Sequence, residues 1–363
     1  MKKKLTSICN PKQWKTLAAK QLLNEGYPVY GANGIIGFWS EYNHAKDTIT
    51  ISCRGTCGIV NMALGYSYVN GNAMCLDELS EEVDIWYLYY QLQHFDFNKI
   101  ISGSTIPQIT RQGLEKVGIT VCPQEKQKEI VSTLRQVDEL INYFLKQLSK
   151  LNDLTKSRFV EMFGDPVQNP MSWQTKPLLE MGFCKNGMNF HTGDSGIEMH
   201  CLGVGDFKDF SVIDGTDHLP MISLNETPPD ESMLRDGDIV FVRSNGNKAL
   251  VGRCLVVYPH NTPTTYSGFC IRYRLTCKVV NTTYILHVLK TKSMREKMAG
   301  RGANIQNLNQ QILASLDIPL PPMEMQEQFA AFVAQTDKSK LAVQQSLEKL
   351  ETLKKSLMQQ YFG

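Results

Sequence analysis

The chain has 363 residues, enough for roughly two domains of ordinary size, and its 42% hydrophobic and 20% charged composition reads as globular and not as a disordered chain. Its longest apolar runs, 239–242 and 313–320 (broken by Asp317), are far too short for a membrane span, and no apolar stretch follows the basic start Met1-Lys2-Lys3-Lys4, so no export signal is expected. With 38 basic against 36 acidic residues the net charge is only +2: either the chain binds no nucleic acid, or partners bring further contacts to it.

In chain order, Asp47-Thr48-Ile49-Thr50-Ile51-Ser52 is the first clear strand, and Trp86-Tyr87-Leu88-Tyr89-Tyr90-Gln91-Leu92 predicts a short helix ahead of a loop at Gly103. Gly118-Ile119-Thr120-Val121-Cys122-Pro123 alternates apolar and polar residues and stops at proline, as a short strand closing a domain does. A helix opening at Gln124-Glu125 follows, with its acidic side chain at the positive end of the helix dipole. Ile130, Leu134, Val137, Ile141, Phe144, Leu148 and Leu151 recur at spacings of three and four, and no proline or glycine interrupts 124–163. Such a helix would run about forty residues, or roughly 60 Å. Further on, a strand is predicted at 238–243, a short helix at 284–289 and a closing strand at 317–322. A second long helix then carries Phe329, Val333, Val343, Leu347, Leu350 and Leu357.

The later elements repeat the earlier ones. At a constant offset of 199, Gly103 meets Gly302, Leu114 meets Leu313, Ile119 meets Ile318, Pro123 meets Pro322, Gln127 meets Gln326, Asp138 meets Asp337, and Phe163-Gly164 meets Phe362-Gly363. A second correspondence, at another offset, sets Asn10-Pro11-Lys12-Gln13-Trp14 beside Asn169-Pro170-Met171-Ser172-Trp173. Two copies of one unit are expected, each an opening motif, a mixed α/β globular part, a closing strand and a long helix. A stripe of that length needs an equal partner, so the two helices are expected to pack antiparallel with the domains at opposite ends; the alternative is that each packs on its own domain.

The sequence carries none of the common catalytic motifs. No Gly-x-x-x-x-Gly-Lys-Ser/Thr loop is present; Gly31-Ala32-Asn33-Gly34-Ile35-Ile36-Gly37 lacks the lysine and the βαβ setting of a phosphate loop. Asn10-Pro11-Lys12 and Asp165-Pro166-Val167 do not match the Asn/Asp-Pro-Pro-aromatic tetrad of amino-methyltransferases. The Asp206-Phe207-Lys208 triplet precedes Pro229-Asp230, the reverse of the order in metal-dependent nucleases. The ten cysteines form no Cys-x-x-Cys pair and the seven histidines no paired spacing, so reduced cytosolic thiols, no metal and no cofactor are expected.

Several stretches resemble the specificity subunits of type I restriction–modification systems: Tyr30-Gly31-Ala32-Asn33-Gly34-Ile35-Ile36-Gly37, Arg54-Gly55-Thr56-Cys57-Gly58, Ser157-Arg158-Phe159-Val160-Glu161-Met162-Phe163-Gly164-Asp165, and Ile318-Pro319-Leu320-Pro321-Pro322 followed by Glu324 and Gln326-Glu327-Gln328. The resemblance covers nearly the whole chain, in the family's order. It implies a mixed α+β fold with two α/β target-recognition domains in pseudo-twofold repeat, joined by two long antiparallel helices as a coiled-coil spacer. The implied divisions are 1–123, 124–164, 165–322 and 323–363. The implied partners are double-stranded DNA, methyltransferase (modification) subunits and a restriction (motor and nuclease) subunit. The implied place is the cytoplasm, with no membrane. Rival readings are the specificity module of a related system without translocation, a nuclease with an unrecognised site, and a helical scaffold with no DNA role.

Two domains held apart by rigid helices would read two half-sites of DNA, through Arg, Lys, Asn and Gln side chains on base edges and phosphates. Candidate readers in the first domain are Arg54, Thr56, Thr105, Gln108 and Arg111; in the second they are Arg243, Asn245, Lys248, Arg301, Asn304 and Gln306. Arg54 and Arg243 each end a strand, and each either forks onto DNA or pairs with a local carboxylate. From Trp14 to Arg54 is 40 positions and from Trp173 to Arg243 is 70, so the first domain is expected to lack an opening segment and Arg243 to matter more than Arg54.

Overall fold

The computed structural model describes residues 1–103, 107–191, 193–207, 211–299 and 307–363. The chain divides into two compact units: unit 1 is Met1–Gln147 with Val343–Gly363, and unit 2 is Leu148–Ala342.

Unit 1 carries β1 (Lys2–Lys4), β2 (Asn10–Gln13), β3 (Tyr27–Gly31), β4 (Gly34–Trp39), β5 (Thr48–Ser52), β6 (Val60–Ala63), β7 (Tyr68–Val69), β8 (Ala73–Asp77), α1 (Ile85–His94), α2 (Arg111–Leu114), β9 (Gly118–Thr120) and the start of α3 (Gln124–Phe163). Its main sheet has the order β2-β8-β5-β6, beside a smaller sheet β4-β3-β7 and the pair β1-β9. Every residue of β5 is buried. Ile49 and Ile51 belong to a core with α1, and neighbouring Ala73 and Cys75 of β8 pack with Tyr30 and Val69 of the smaller sheet, so the main sheet is covered on both faces.

Unit 2 carries β10 (Thr175–Pro177), β11 (Gly182–Asn186), β12 (Ile197–Leu202), β13 (Val212–Asp214), β14 (Met221–Leu224), β15 (Asp238–Val242), β16 (Cys254–Tyr258), β17 (Thr264–Tyr266), β18 (Cys270–Leu275), α4 (Thr282–Lys290), α5 (Lys292–Ala299), α6 (Gln310–Ala314), β19 (Asp317–Pro319) and the start of α7 (Met323–Phe362). Its sheets are β11-β18-β15-β16-β13, β14-β12-β17 and β10-β19. Among the described residues no helix is long and apolar enough to cross a membrane.

The two units share the bonds at their strand-to-helix junctions. Leu5 N–H donates to Val117 O at 2.9 Å, and Leu178 N–H donates to Leu316 O at 2.8 Å. Tyr87 donates its hydroxyl to Thr120 O at 2.7 Å, and Tyr284 to Pro319 O at 2.9 Å. Gln127, fully buried, accepts from Asp84 N–H at 2.8 Å and donates to Glu82 O and Cys122 O. Gln326, equally buried, accepts from Asn281 N–H at 2.8 Å and donates to Val279 O and Pro321 O. Each glutamine thus ties the strand-to-helix junction to the N-cap of the preceding short helix. Both long helices have the expected forty residues. α3 ends at Gly164, whose φ of +73° and N–H bond to Val160 O form a left-handed cap.

Both expectations for the helices hold in part. Ile130, Val131 and Leu134 of α3 belong to the core of unit 1, and Phe329 and Val333 of α7 to that of unit 2, so each helix begins by packing on a globular part. Each then meets the other helix running the opposite way. In unit 1, Lys354 near the end of α7 reaches Asp138 of α3 at 2.7 Å, and Phe362 lies edge-on to Tyr87. In unit 2, Phe159 and Phe163 at the end of α3 lie 5.5 and 5.6 Å from Phe329 near the start of α7, and Phe163 is edge-on to Tyr284.

The second sequence correspondence is overturned. Asn10–Gln13 is a strand paired with β8, whereas Asn169 and Trp173 close a turn in which the Asn169 amide bonds the Trp173 backbone in both directions. Hydrogen-bond register instead matches Gln13 with Asn186, through Met74 and Ile271 on the partner strands. Measured from there, Gln13 to Cys53 is 40 positions and Asn186 to Arg243 is 57. The first domain is still the shorter, and the difference falls between β2 and the exit of β5, where the second domain carries β13, a strand laid parallel on the edge of β16.

Gln127→Ala should destabilise unit 1 by about 1–3 kcal/mol, since it strands a buried N–H and two carbonyls, and Gln326→Ala should do the same to unit 2. Denaturant unfolding of the two single variants checks this; a loss in only one of them would break the equivalence.

Candidate nucleic-acid interface

At the exit of β5 the backbone of unit 1 is held on two sides. Cys53 N–H donates to Asn72 O and Cys53 O accepts from Ile109 N–H, both at 3.1 Å, and Arg54 forms an antiparallel bridge with Gln108. Two candidates distant in sequence are thereby set side by side. Gln108 is bridged in turn to Ser102, and Thr110 caps α2 by accepting from Gly113 N–H at 3.1 Å, which places Arg111 at the first helical position.

These residues surround a cavity of about 320 Å³ lined by Arg54, Gln108, Thr110 and Arg111 together with Lys12 and Gln13 of β2; its lining contains no carboxylate. Arg111 Nη1 reaches Pro11 O at 3.5 Å, and Lys12 Nζ stands 3.9 Å over the Trp14 ring. Gln13 donates to Gly71 O at 3.1 Å and to Cys53 Sγ. Burial pushes the Cys53 thiol up from its ordinary range, so at neutral pH it lines the cavity uncharged beside the three cations. Thr56 lies exposed in the adjoining loop, its carbonyl accepting from Ser52 Oγ at 2.6 Å. Three first-domain candidates, Arg54, Gln108 and Arg111, converge; Thr105 lies outside the described residues. Lys12 and Gln13 were not among the candidates, because their stretch matched an opening motif and only strand pairing brings it to this rim.

In unit 2 the same register falls differently. Arg243 N–H donates to Phe269 O and Arg243 O accepts from Leu308 N–H, both at 2.8 Å, which are the bonds made by Cys53. Arg243 therefore corresponds to Cys53 and Ser244 to Arg54, and one step along a strand turns the side chain to the other face. The two arginines are therefore not equivalents. Arg243 Nη1 donates to Gly268 O at 3.3 Å, a backbone carbonyl and not a carboxylate. The following loop is longer than in unit 1: Gly58 N–H bonds Ser52 O there, and Gly252 N–H bonds Val242 O here. Its turns are internal, with Asn245 Oδ1 accepting from Asn247 N–H and Asn247 Oδ1 from Ala249 N–H, while Arg295 of α5 donates to Ala249 O and Val251 O. Lys248 stands exposed at the tip. Arg301, Asn304 and Gln306 lie outside the described residues.

Comparison with known proteins bears on this arrangement. Residues 1–154 and 230–353 match the family model described as the type I restriction modification DNA specificity domain. The chain is 23% identical over 307 residues to the type I restriction enzyme MjaVIII specificity subunit of Methanocaldococcus jannaschii, covering 78% of this chain and 70% of that one. It is 22% identical over 353 residues to a putative type I restriction enzyme specificity subunit of Haemophilus influenzae, covering 91% and 87%. Its fold resembles that of the type I restriction–modification S subunit from M. genitalium, with a TM-score of 0.61 at 18% identity, covering 100% of this chain and 96% of that one. With the family model matched over most of its length and the duplicated fold on which it rests, the chain belongs to the type I restriction–modification DNA specificity family.

Proposed function

We propose that the chain is the sequence-reading subunit of a type I restriction–modification complex, taking a bipartite double-stranded DNA target with one recognition domain per half-site and performing no chemistry itself. The functional divisions are recognition domains at 1–123 and 165–322 and spacer helices at 124–164 and 323–363. The observation that carries this reading is the cavity of unit 1, where Lys12, Arg54, Gln108 and Arg111 converge with no carboxylate among them. Cations gathered without an internal counter-charge suit an anionic partner, and a glutamine beside an arginine suits base edges. Arg54 and Gln108 read bases; Lys12 and Arg111 hold phosphates. Methyltransferase subunits, and a restriction subunit carrying motor and nuclease activity, dock on the long helices and supply the remaining DNA contacts. That division of labour accounts for a net charge of only +2. The assembly works in the cytoplasm.

The test uses the complex with its methyltransferase subunits, titrated with target and scrambled duplexes across a salt series. Lys12→Ala and Arg111→Ala should weaken both duplexes alike and reduce the salt slope by about one each. Arg54→Ala and Gln108→Ala should cost about 1–3 kcal/mol on the target and narrow its lead over the scrambled duplex. Unchanged binding in all four, with lowered thermal stability, would make these residues structural.

The pure chain, given S-adenosylmethionine, ATP, magnesium and target DNA, should neither methylate, cleave nor hydrolyse ATP. Robust turnover in any of the three assays would defeat the non-catalytic assignment.

A further inference from the structure

In unit 1, three potential metal ligands from two separate stretches of the sequence converge. One donor atom each from His44, Cys75 and Asp77 lies within 4.8 Å of the others. Cys75 and Asp77 are two apart on β8 and so face the same side of the strand. His44 is carried on the loop before β5, but its backbone is fixed: His44 N–H donates to Ser67 O and His44 O accepts from Ser67 N–H, both at 3.0 Å. Cys75 is fully buried, and the His44 and Asp77 side chains are only 10% and 15% exposed.

The surrounding hydrogen bonds select which atoms remain for a ligand. His44 Nδ1 donates to Asn43 Oδ1 at 2.6 Å. That oxygen is held in place because Asn43 also accepts from Val69 N–H at 2.8 Å and donates to Val69 O at 3.0 Å. The outward ring atom is Nε2, which lies 2.9 Å from Asp77 Oδ1. Asp77 Oδ2 is occupied by Trp14 Nε1–H at 3.1 Å, leaving Oδ1. A histidine whose far nitrogen is anchored on an oxygen, and a carboxylate whose far oxygen is anchored on an indole, are the outer-shell pattern that orients metal ligands.

From this arrangement we infer that His44 Nε2, Cys75 Sγ and Asp77 Oδ1 form a zinc site with one open coordination position. A mixed nitrogen, sulfur and oxygen set, largely buried, suits Zn²⁺ over magnesium or calcium, which favour all-oxygen sites. At a tetrahedral angle, ligands about 2.0 Å from zinc stand about 3.3 Å apart, so the Nε2 to Oδ1 contact opens by a few tenths of an ångström to admit the ion. On binding, the S–H bond of Cys75 breaks as the S–Zn bond forms and its proton passes to solvent, while Nε2 gives its lone pair to zinc and Nδ1 keeps its hydrogen bond to Asn43 Oδ1. The register matches Cys75 and Asp77 with Arg272 and Arg274 of unit 2, so one ion per chain is expected. The ion ties the 41–46 loop to β8, whose Cys75 is the register partner of Lys12 on the cavity rim.

The test is titration of the chelator-treated full chain with Co²⁺, followed by displacement with Zn²⁺. One equivalent should produce a thiolate-to-cobalt charge-transfer band, and added Zn²⁺ should abolish it and raise the thermal midpoint. Cys75→Ala, a small residue in place of a buried one, should lose the band and show a midpoint indifferent to Zn²⁺; Cys57→Ser, at a half-buried thiol elsewhere, should keep both responses. Asp77→Asn should weaken cobalt affinity tenfold or more. No band in the wild-type chain, or a band that survives in Cys75→Ala, overturns the site.

Discussion

Each globular unit lacks part of its own core until the last turns of a long helix arrive. In unit 1 the missing part is Met358 and its neighbours Leu357, Tyr361 and Phe362, which close over α1 and the start of α3. In unit 2 it is Phe159 and Phe163, which close over α4 and the start of α7. Burying an aromatic or methionine side chain of this kind contributes roughly 1.5–3 kcal/mol, so the helices are part of each fold. Unit 1 is for this reason discontinuous in sequence, made of Met1–Gln147 and Val343–Gly363. The glutamines fix where each helix begins, and the aromatic contacts fix where the other ends.

Upon this shared frame the polar chemistry diverges. At corresponding places on β8 and β18, unit 1 has Cys75 and Asp77 and unit 2 has Arg272 and Arg274. Arg274 makes a two-pronged pair with Asp238, both contacts at 2.8 Å, inside the protein. Arg272 is fully buried, with one nitrogen on Glu231 O at 3.0 Å, its guanidinium 4.8 Å from the Phe183 ring, and Nε and Nη1 without a hydrogen-bond partner. Removing one member of the buried Arg274–Asp238 pair would leave the other charge uncompensated, so these two positions have little freedom to change one at a time. The exposed loops at the strand exits carry no such constraint. They differ in length and in which residue takes the strand-end position, Cys53 in one and Arg243 in the other. A duplicated scaffold with unlike loops is what reading two different half-sites requires.

The long-period features of this protein are legible along the chain. The forty-residue helices follow from an unbroken stripe free of proline and glycine, and the pairing of Gln127 with Gln326 follows from a constant offset of 199. Both survive because helix periodicity and junction spacing are local properties that a single copy cannot alter without losing its fit. The duplication also carried the family likeness and the placing of Arg54, Gln108 and Arg111 near strand and loop ends. Tertiary structure alone decided what depends on strand register. The offset between the copies drifts from 173 at Gln13 and Asn186, through 190 at Cys53 and Arg243, to 199 at the closing strands, because loops differ in length. A fixed offset cannot follow that drift, so the Asn-Pro-x-x-Trp match misled and Arg243 was set against the wrong partner. The convergence of Lys12 with Arg111, and of His44 with Asp77, has the same origin: cross-strand pairing brings together residues that no spacing along the chain connects.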